Sequence, residues 1–272
     1  MLVSGCTKKY VIETNSKVTE VNLKVNMSYQ SWKYAYDSRG LLTQNVSPAN
    51  AATMRSYEYN GAQVKEIYSD WLPGRTVTIQ FHVGSNGYAD VGSYIDMNTS
   101  DLSSNYKKQE YAYTNGYLTF MKETDFMADS TAPDTGFFHL HNIYIKIERR
   151  TYVNGNCVSI LDSTFHGFFP ILDSLSDVQQ IIFEYNSIVN NQNIDFSVNN
   201  LSPAFYVTEY NTPLFGKSNK NLIIKRTLIN NSYVQLSSSF QYQINLYNNI
   251  YECTQTDPYS TYTYTFKYEY SR

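Results

Sequence analysis

Four stretches of this chain repeat one local pattern: Tyr34-Ala35-Tyr36-Asp37-Ser38-Arg39-Gly40, Tyr57-Glu58-Tyr59-Asn60-Gly61, Tyr111-Ala112-Tyr113-Thr114-Asn115-Gly116 and, more loosely, Tyr152-Val153-Asn154-Gly155. Each is an aromatic strand end, then an Asp- or Asn-containing turn closing on Gly, then a second alternating run. Asn or Asp followed by Gly tolerates the positive φ angles that two-residue hairpin turns require. A chain that repeats this signal is constrained to antiparallel hairpins.

The segments between turns support that reading. Tyr262, Tyr264, Phe266, Tyr268 and Tyr270 alternate with Thr263, Thr265, Lys267 and Glu269. Period two with one aromatic and one polar face is a strand solvated on one side. Phe240, Tyr242, Ile244 and Leu246 alternate with Gln241, Gln243 and Asn245, and Val77, Ile79, Phe81 and Val83 with Thr78, Gln80 and His82. Ile143, Ile145 and Ile147 form a further apolar face, read as a strand entering the core. Turns at Pro73-Gly74, Ser85-Asn86-Gly87 and Asn248-Asn249 complete a pattern of about fourteen strands. Helical pattern is scarce, with short candidates at 47–52, 174–180 and 214–221. The longest loop-like stretch is 123–137.

A meander of this many twisted strands must curl, split or close. The expected fold is all-β: a large curved antiparallel meander, a half-barrel or porin-like curled sheet, in one domain over 21–272 after a polar tether over 1–20. The 272 residues include 27 Tyr, 14 Phe and 2 Trp. A dry core favours Val, Ile and Leu, because each buried phenol needs a hydrogen-bond partner. The tyrosines therefore either line a partly wet groove or fill a core in which their hydroxyls find partners.

Charge excludes several classes. Lys+Arg 21 against Asp+Glu 24 gives net −3, so no basic surface recommends a nucleic-acid partner. No apolar run is long enough for a membrane-spanning helix. An integral outer-membrane barrel is disfavoured because the faces opposite the aromatic ones carry Lys267, Glu269, Gln241 and Gln243 rather than lipid-facing apolar residues.

Catalytic patterns are weak. Gly216-Lys217-Ser218 lacks the upstream Gly of a phosphate loop, since position 211 is Asn. His139 and His141 share a strand face, but no third metal ligand can be named. Asp125, Asp129 and Asp134 match no calcium loop. The sequence thus assigns no catalytic residue, metal or cofactor, and the chain reads as a non-enzyme.

Three further features enter through resemblance. Leu2-Val3-Ser4-Gly5-Cys6 resembles the bacterial lipobox, which implies that Cys6 carries a lipid anchor. The run Tyr-x-Tyr-Asp-x-x-Gly-x-Leu-Thr at 34–43 resembles the tyrosine-aspartate hairpin repeats of bacterial envelope proteins. With Pro213-Leu214-Phe215-Gly216-Lys217-Ser218-Asn219-Lys220-Asn221-Leu222 and the closing Tyr264-Thr265-Phe266-Lys267-Tyr268-Glu269-Tyr270, the chain is similar to uncharacterised Bacteroides-type lipoproteins with a porin-like fold. That resemblance implies a cell-envelope protein anchored to the outer membrane, and carries no activity. Thr7-Lys8-Lys9-Tyr10 lacks the acidic run associated with surface export in such bacteria, which favours the periplasmic side. Asp129-Ser130-Thr131, Asp162-Ser163-Thr164 and Asp173-Ser174-Leu175 resemble O-glycosylation sites of exported proteins in such bacteria, so Ser130, Ser163 and Ser174 are candidates, all expected in loops. Apart from Cys6, Cys157 and Cys253 form an even pair, open to a disulfide in an oxidising compartment or to two buried thiols.

The functional expectation is an envelope lipoprotein that binds an amphipathic or carbohydrate ligand on a concave tyrosine-rich face. Trp32, Trp71, Tyr264 and Tyr268 are the candidate ligand-stacking residues. The alternative is a structural or adaptor lipoprotein with a protein partner.

Overall fold

A computed structural model describes residues 18–25, 28–38, 41–46, 54–69, 75–98, 103–128, 140–168, 171–190, 215–230, 232–245, 249–257 and 263–270. They form sixteen strands, two more than the turn pattern suggested. The first eight are β1 Val18–Val25, β2 Ser28–Tyr36, β3 Leu42–Val46, β4 Met54–Asn60, β5 Gln63–Ser69, β6 Arg75–Val83, β7 Ala89–Asn98 and β8 Ser103–Thr114. The second eight are β9 Tyr117–Ala128, β10 Leu140–Val153, β11 Asn156–Phe168, β12 Ile171–Val189, β13 Asn221–Asn230, β14 Tyr233–Ile244, β15 Ile250–Thr256 and β16 Thr263–Tyr270. Each pairs antiparallel with its sequence neighbour, and β1 pairs with β16, so the meander closes into a barrel. Closure removes both free sheet edges. Among the described residues there is no α-helix; the 174–180 candidate belongs to β12 and the 123–128 part of the expected loop belongs to β9.

The repeated tyrosine hairpins join even to odd strands, at one end of the barrel. Asn115-Gly116 and Asn154-Gly155 adopt the expected positive φ pairs, 53° with 85° and 51° with 84°. A second regularity at this end was not anticipated. The odd strand slips by one residue just after the turn in β3, β7, β9, β11 and β15, and near its start in β13, whose pairing with β12 has a further irregularity between Tyr185 and Val189. A bulge of this kind leaves part of the ladder unpaired and increases local twist. At three of the bulges a tyrosine one strand further on donates its hydroxyl to the carbonyl just before the slip. Tyr59 reaches Leu42 at 2.9 Å, Tyr185 reaches Cys157 at 2.6 Å, and Tyr242 reaches Ile223 at 2.7 Å.

This accounts for three of the inner tyrosines, Tyr59, Tyr185 and Tyr242. A round barrel of sixteen strands is too wide for ordinary side chains to fill, and the bulged carbonyls inside it need donors. A long ring with a terminal hydroxyl meets both needs. Leu42, Ile160, Leu222, Ile250, Cys157 and Cys253 are almost wholly buried beneath these rings. At this end the tyrosines therefore pack a core. Replacing Tyr185, Tyr59 or Tyr242 with Phe should cost about 1–3 kcal/mol each, by stranding a buried acceptor. Urea denaturation measures it; Tyr251→Phe, whose hydroxyl bonds exposed Gln243, should stay within about 0.5 kcal/mol of wild type.

The same end is closed by a strap, residues 215–220, that precedes β13. The Lys217 amide donates to the Gly116 carbonyl at 2.7 Å, and the Lys220 amide to that of Gly155 at 2.9 Å. Asn219 Oδ1 accepts the Cys157 amide at 2.6 Å, and Asn156 Oδ1 accepts that of Asn221 at 2.8 Å. Phe215 packs edge-on to Phe81, with ring centroids 5.4 Å apart, and tilts against Tyr111 at 5.3 Å. The stretch 214–221 was expected as a short helical piece. Its described part is an irregular segment held by two hairpin turns, and Gly216 takes the left-handed φ of 90° that this path needs.

Candidate functional site

Away from the strap, the inner wall changes character. Its charged residues sit at alternate positions on neighbouring strands, with opposite signs facing each other. Lys107 of β8 contacts Asp125 at 2.7 Å and Glu123 at 3.4 Å, both on β9. Gln109 Nε2 donates to Glu123 at 2.7 Å, and Gln109 Oε1 accepts from the Tyr111 hydroxyl at 2.7 Å. On β10, Lys146 contacts Glu148 and, on β11, Asp162, each at 3.0 Å. Arg150 completes the row by donating to Glu148 at 3.0 Å. Smaller groups extend the polar wall: Gln179 donates to Asp177, the Tyr94 hydroxyl to Asp96, and Arg55 bonds Glu66 at 2.8 Å.

The burial of these groups is graded. The Lys107 and Lys146 side chains retain 29% and 31% of their accessible surface, so solvent reaches them. Glu148 and Arg150 are almost wholly buried. Burial pushes the Glu148 carboxyl up, but Arg150 and Lys146 outweigh it and hold the group below the ordinary range. For Asp162 the balance is reversed: burial raises it, and Lys146 only partly offsets this against the nearby Glu148 and Asp177. Burial likewise raises Glu66 despite Arg55. Aromatic rings flank the polar wall. Tyr144 of β10 meets His166 of β11 edge-on at 4.2 Å, and Lys107 lies 5.9 Å from the Tyr94 ring centre.

Several expectations need correction. Ile145 and Ile147 do not enter the core; they face outward, because the alternate residues Lys146, Glu148 and Arg150 occupy the inside. Charge pairing across strands, not hydrophobicity, sets the faces of β10. The signal was present as Lys146-x-Glu148-x-Arg150, Glu123-x-Asp125 and Asp177-x-Gln179, period-two runs of polar residues that complement one another only once the strands pair. Cys157 and Cys253 are free, buried thiols on β11 and β15, with three strands between them, and form no disulfide. Ser163 and Ser174 lie in β11 and β12 rather than in loops, and Ser163 is buried. Asp125, considered for calcium, is paired with Lys107.

Of the ligand-stacking candidates, Tyr268 is buried in the core and Trp32 packs, partly buried, against it. The backbone of Tyr264 pairs with Gln255 and Val25. Cys6, Trp71, Ser130, His139, Asp129 and Asp134 lie outside the described residues. Among the described residues no three His, Cys, Asp or Glu side chains converge as a metal site.

The outer wall has two sectors. Over most of the circumference it presents exposed polar residues, among them Lys24, Lys33, Glu58, Lys225, Gln241 and Lys267. A lipid-embedded barrel carries a continuous outward apolar band about 25 Å tall; among the described residues this wall carries exposed charged and amide side chains over most of its circumference instead. From β8 to β12 it is more apolar: Tyr106 stacks on Phe126 at 5.6 Å, beside Ile145, Ile147, Leu161 and Ile182.

No family model and no curated protein matches the sequence. Solved structures do match. A porin-like protein from Bacteroides uniformis ATCC 8492 is 16% identical, over 93% of this chain and 96% of its own, with a TM-score of 0.59. A porin-like protein from Bacteroides vulgatus ATCC 8482 is 14% identical, over 94% of this chain and 99% of its own, with a TM-score of 0.63. The class that the fold defines is thus the porin-like antiparallel barrel. At this identity the likeness speaks for the fold alone.

Proposed function

We propose that this is a non-enzymatic cell-envelope barrel, tethered by lipid on Cys6 to the outer membrane on its periplasmic side, that binds carbohydrate inside its polar half. The observation that carries the reading is the division of the inner wall. One end is filled by tyrosines and Phe215. The rest is an array of paired donors and acceptors, in which Glu66, Asp96, Glu148, Arg150 and Asp162 are buried and Lys107 and Lys146 are partly accessible, flanked by Tyr94, Tyr144 and His166. Sugars are bound by such combinations of hydrogen-bonding groups and aromatic faces. The filled end favours carbohydrate over an amphipathic lipid, since the apolar interior is already taken by the protein's own side chains. Because lysines neutralise much of the carboxylate charge, a neutral polyhydroxylated ligand fits better than an ion.

The full chain is tested on a broad array of linear and branched glycans, alongside vesicles of bacterial phospholipid. Binding of a glycan set and not of vesicles by the non-lipidated protein is expected; silence across the glycans contradicts the reading. The adaptor alternative draws on the outward apolar sector from Tyr106 to Ile182, a surface suited to a protein partner. A charge placed there, Phe126→Asp, would abolish such a partnership and leave glycan binding unchanged.

A further inference from the structure

The sequence holds four Asn-Gly pairs, Asn60-Gly61, Asn86-Gly87, Asn115-Gly116 and Asn154-Gly155, and the fold does not treat them alike. Asn115 and Asn154 are themselves left-handed turn residues, and the strap holds both turns. The Asn115 carbonyl accepts Lys217 Nζ at 3.0 Å, and the Gly116 carbonyl accepts the Lys217 amide at 2.7 Å. The Gly155 carbonyl accepts the Lys220 amide at 2.9 Å, and a Cβ added at Gly155 would stand 3.0 Å from the Tyr117 hydroxyl. Asn86-Gly87 is held through the reacting groups themselves: Asn86 Oδ1 accepts the Tyr88 amide at 2.9 Å, and the Gly87 amide donates to the Gly84 carbonyl at 3.0 Å. Asn60-Gly61 differs. Asn60 ends β4 in strand conformation, and Gly61 alone takes the left-handed φ, 57°. Asn60, Gly61 and Ala62 are all exposed, and nothing lies within 4 Å of the place a Gly61 Cβ would take. Among the described residues no hydrogen bond engages the Asn60 side chain or the Gly61 amide; the tip is tethered through the Ala62 carbonyl, which accepts the Val83 amide at 2.7 Å.

We propose that Asn60 is a site of spontaneous deamidation, the member of the four Asn-Gly pairs that the folded barrel leaves open to it. Asparagine is a thermolabile residue, and a following glycine favours loss of its amide because no Cβ shields the attacking nitrogen. The Gly61 amide nitrogen attacks Asn60 Cγ. A nitrogen–Cγ bond forms, the Cγ–Nδ2 bond breaks, and the Gly61 amide proton leaves with the side-chain nitrogen as ammonia. Water then opens the cyclic imide. Attack at Cγ restores the backbone and leaves an aspartate; attack at the backbone carbonyl leaves an isoaspartate. The net change is amide plus water to acid plus ammonia, with no redox partner. Ring closure needs an unengaged nitrogen, an unengaged side-chain amide and rotation about the backbone between them. A hydrogen bond to either group, or a turn pinned by its neighbours, opposes it. Either product adds a negative charge at the exposed tip, and isoaspartate also routes the backbone through one additional carbon where β4 turns into β5. The inference is independent of the carbohydrate reading.

Incubation of the full chain in warm, mildly alkaline buffer made with heavy-oxygen water, followed by tryptic digestion in ordinary water and mass spectrometry, tests this. Cleavage at Arg55, Lys65, Arg75, Lys107, Lys108, Lys122, Arg150 and Lys217 puts the four pairs on four separate peptides, and heavy oxygen marks only the conversion that occurs during the incubation. Asn60 is expected to convert at least tenfold faster than Asn86, Asn115 and Asn154 in native buffer. In the same buffer with urea sufficient to unfold the chain, the four rates are expected to fall within threefold of one another, because the fold and not the dipeptide sets the difference. An Asn60 that converts no faster than the three held pairs in the folded chain would overturn the proposal. So would a tenfold lead that persists in the unfolded chain, since the barrel would then have no part in it.

Discussion

Glu148→Ala is expected to lower the stability of the barrel by about 3–5 kcal/mol, the usual cost of removing one partner of a buried ion pair. Glu148 bonds both Arg150 and Lys146, and Arg150 is 3% exposed. Removing the carboxylate leaves a guanidinium inside the wall without its counter-charge. The cost lies mainly in that stranded charge. The double variant Glu148→Leu with Arg150→Met should therefore recover most of the loss. Urea denaturation of the three proteins decides the point, and a Glu148→Ala protein within about 1 kcal/mol of wild type would contradict the role given to this pair.

The pH dependence carries a sign. Glu148 is held below the ordinary carboxylate range. Its contribution is complete above about pH 4.3, the unfolded-state value, and is lost as pH falls through the lower folded value. The gap between wild type and Glu148→Ala should narrow on acidification. Glu66 and Asp162 are raised. Their contributions run the other way: present in acid, and lost as pH rises through their folded values.

Gly216→Ala should cost about 2–4 kcal/mol, combining a strained left-handed backbone at a non-glycine residue with a lost strap hydrogen bond. The strain alone does not describe the site. A Cβ on Gly216 would stand 2.6 Å from the Gly116 carbonyl oxygen, which is the acceptor for the Lys217 amide. Backbone opposes backbone there, so the strap must lift. Gly61→Ala is the comparison, with φ of 57° and open space around the added carbon; it should cost only about 1–2 kcal/mol. Tryptic cleavage after Lys217 in native buffer should accelerate in Gly216→Ala and not in Gly61→Ala. Equal protection in both would contradict the view that the strap is pinned at this glycine.

The legible parts of this fold are the local ones. Asn115-Gly116 and Asn154-Gly155 dictate their turns through their own φ preferences, and the alternation around Phe240 and Val77 places those strands with the apolar face inside. What escaped sequence reading depends on residues far apart in the chain. Closure joins β1 to β16. The 215–220 strap has its shape because turns about 60 and 100 residues earlier supply its acceptors, not because of any propensity of its own. The faces of β10 were misassigned because Ile145 and Ile147 look like a core stripe. Only the pairing of Lys146 with Asp162, and of Glu123 with Lys107, makes the charged face the inner one. The tyrosine repeats were readable as hairpins, but that Tyr59 within them, and Tyr185 and Tyr242 outside them, give their hydroxyls to bulges was not, because a bulge appears only in the register of two paired strands.

The fold is a porin-like barrel; that it faces water on its outer wall and is tethered to a membrane rather than embedded in it is the proposal that most needs a direct test. Sedimentation of the full chain carrying Cys6→Ser, in detergent-free buffer, tests it most directly, with the same protein added to planar bilayers. The account predicts a folded, β-rich, monodisperse species that gives no conductance steps. A protein that aggregates without detergent, folds on adding it and opens stepwise conductances across the bilayer would contradict it.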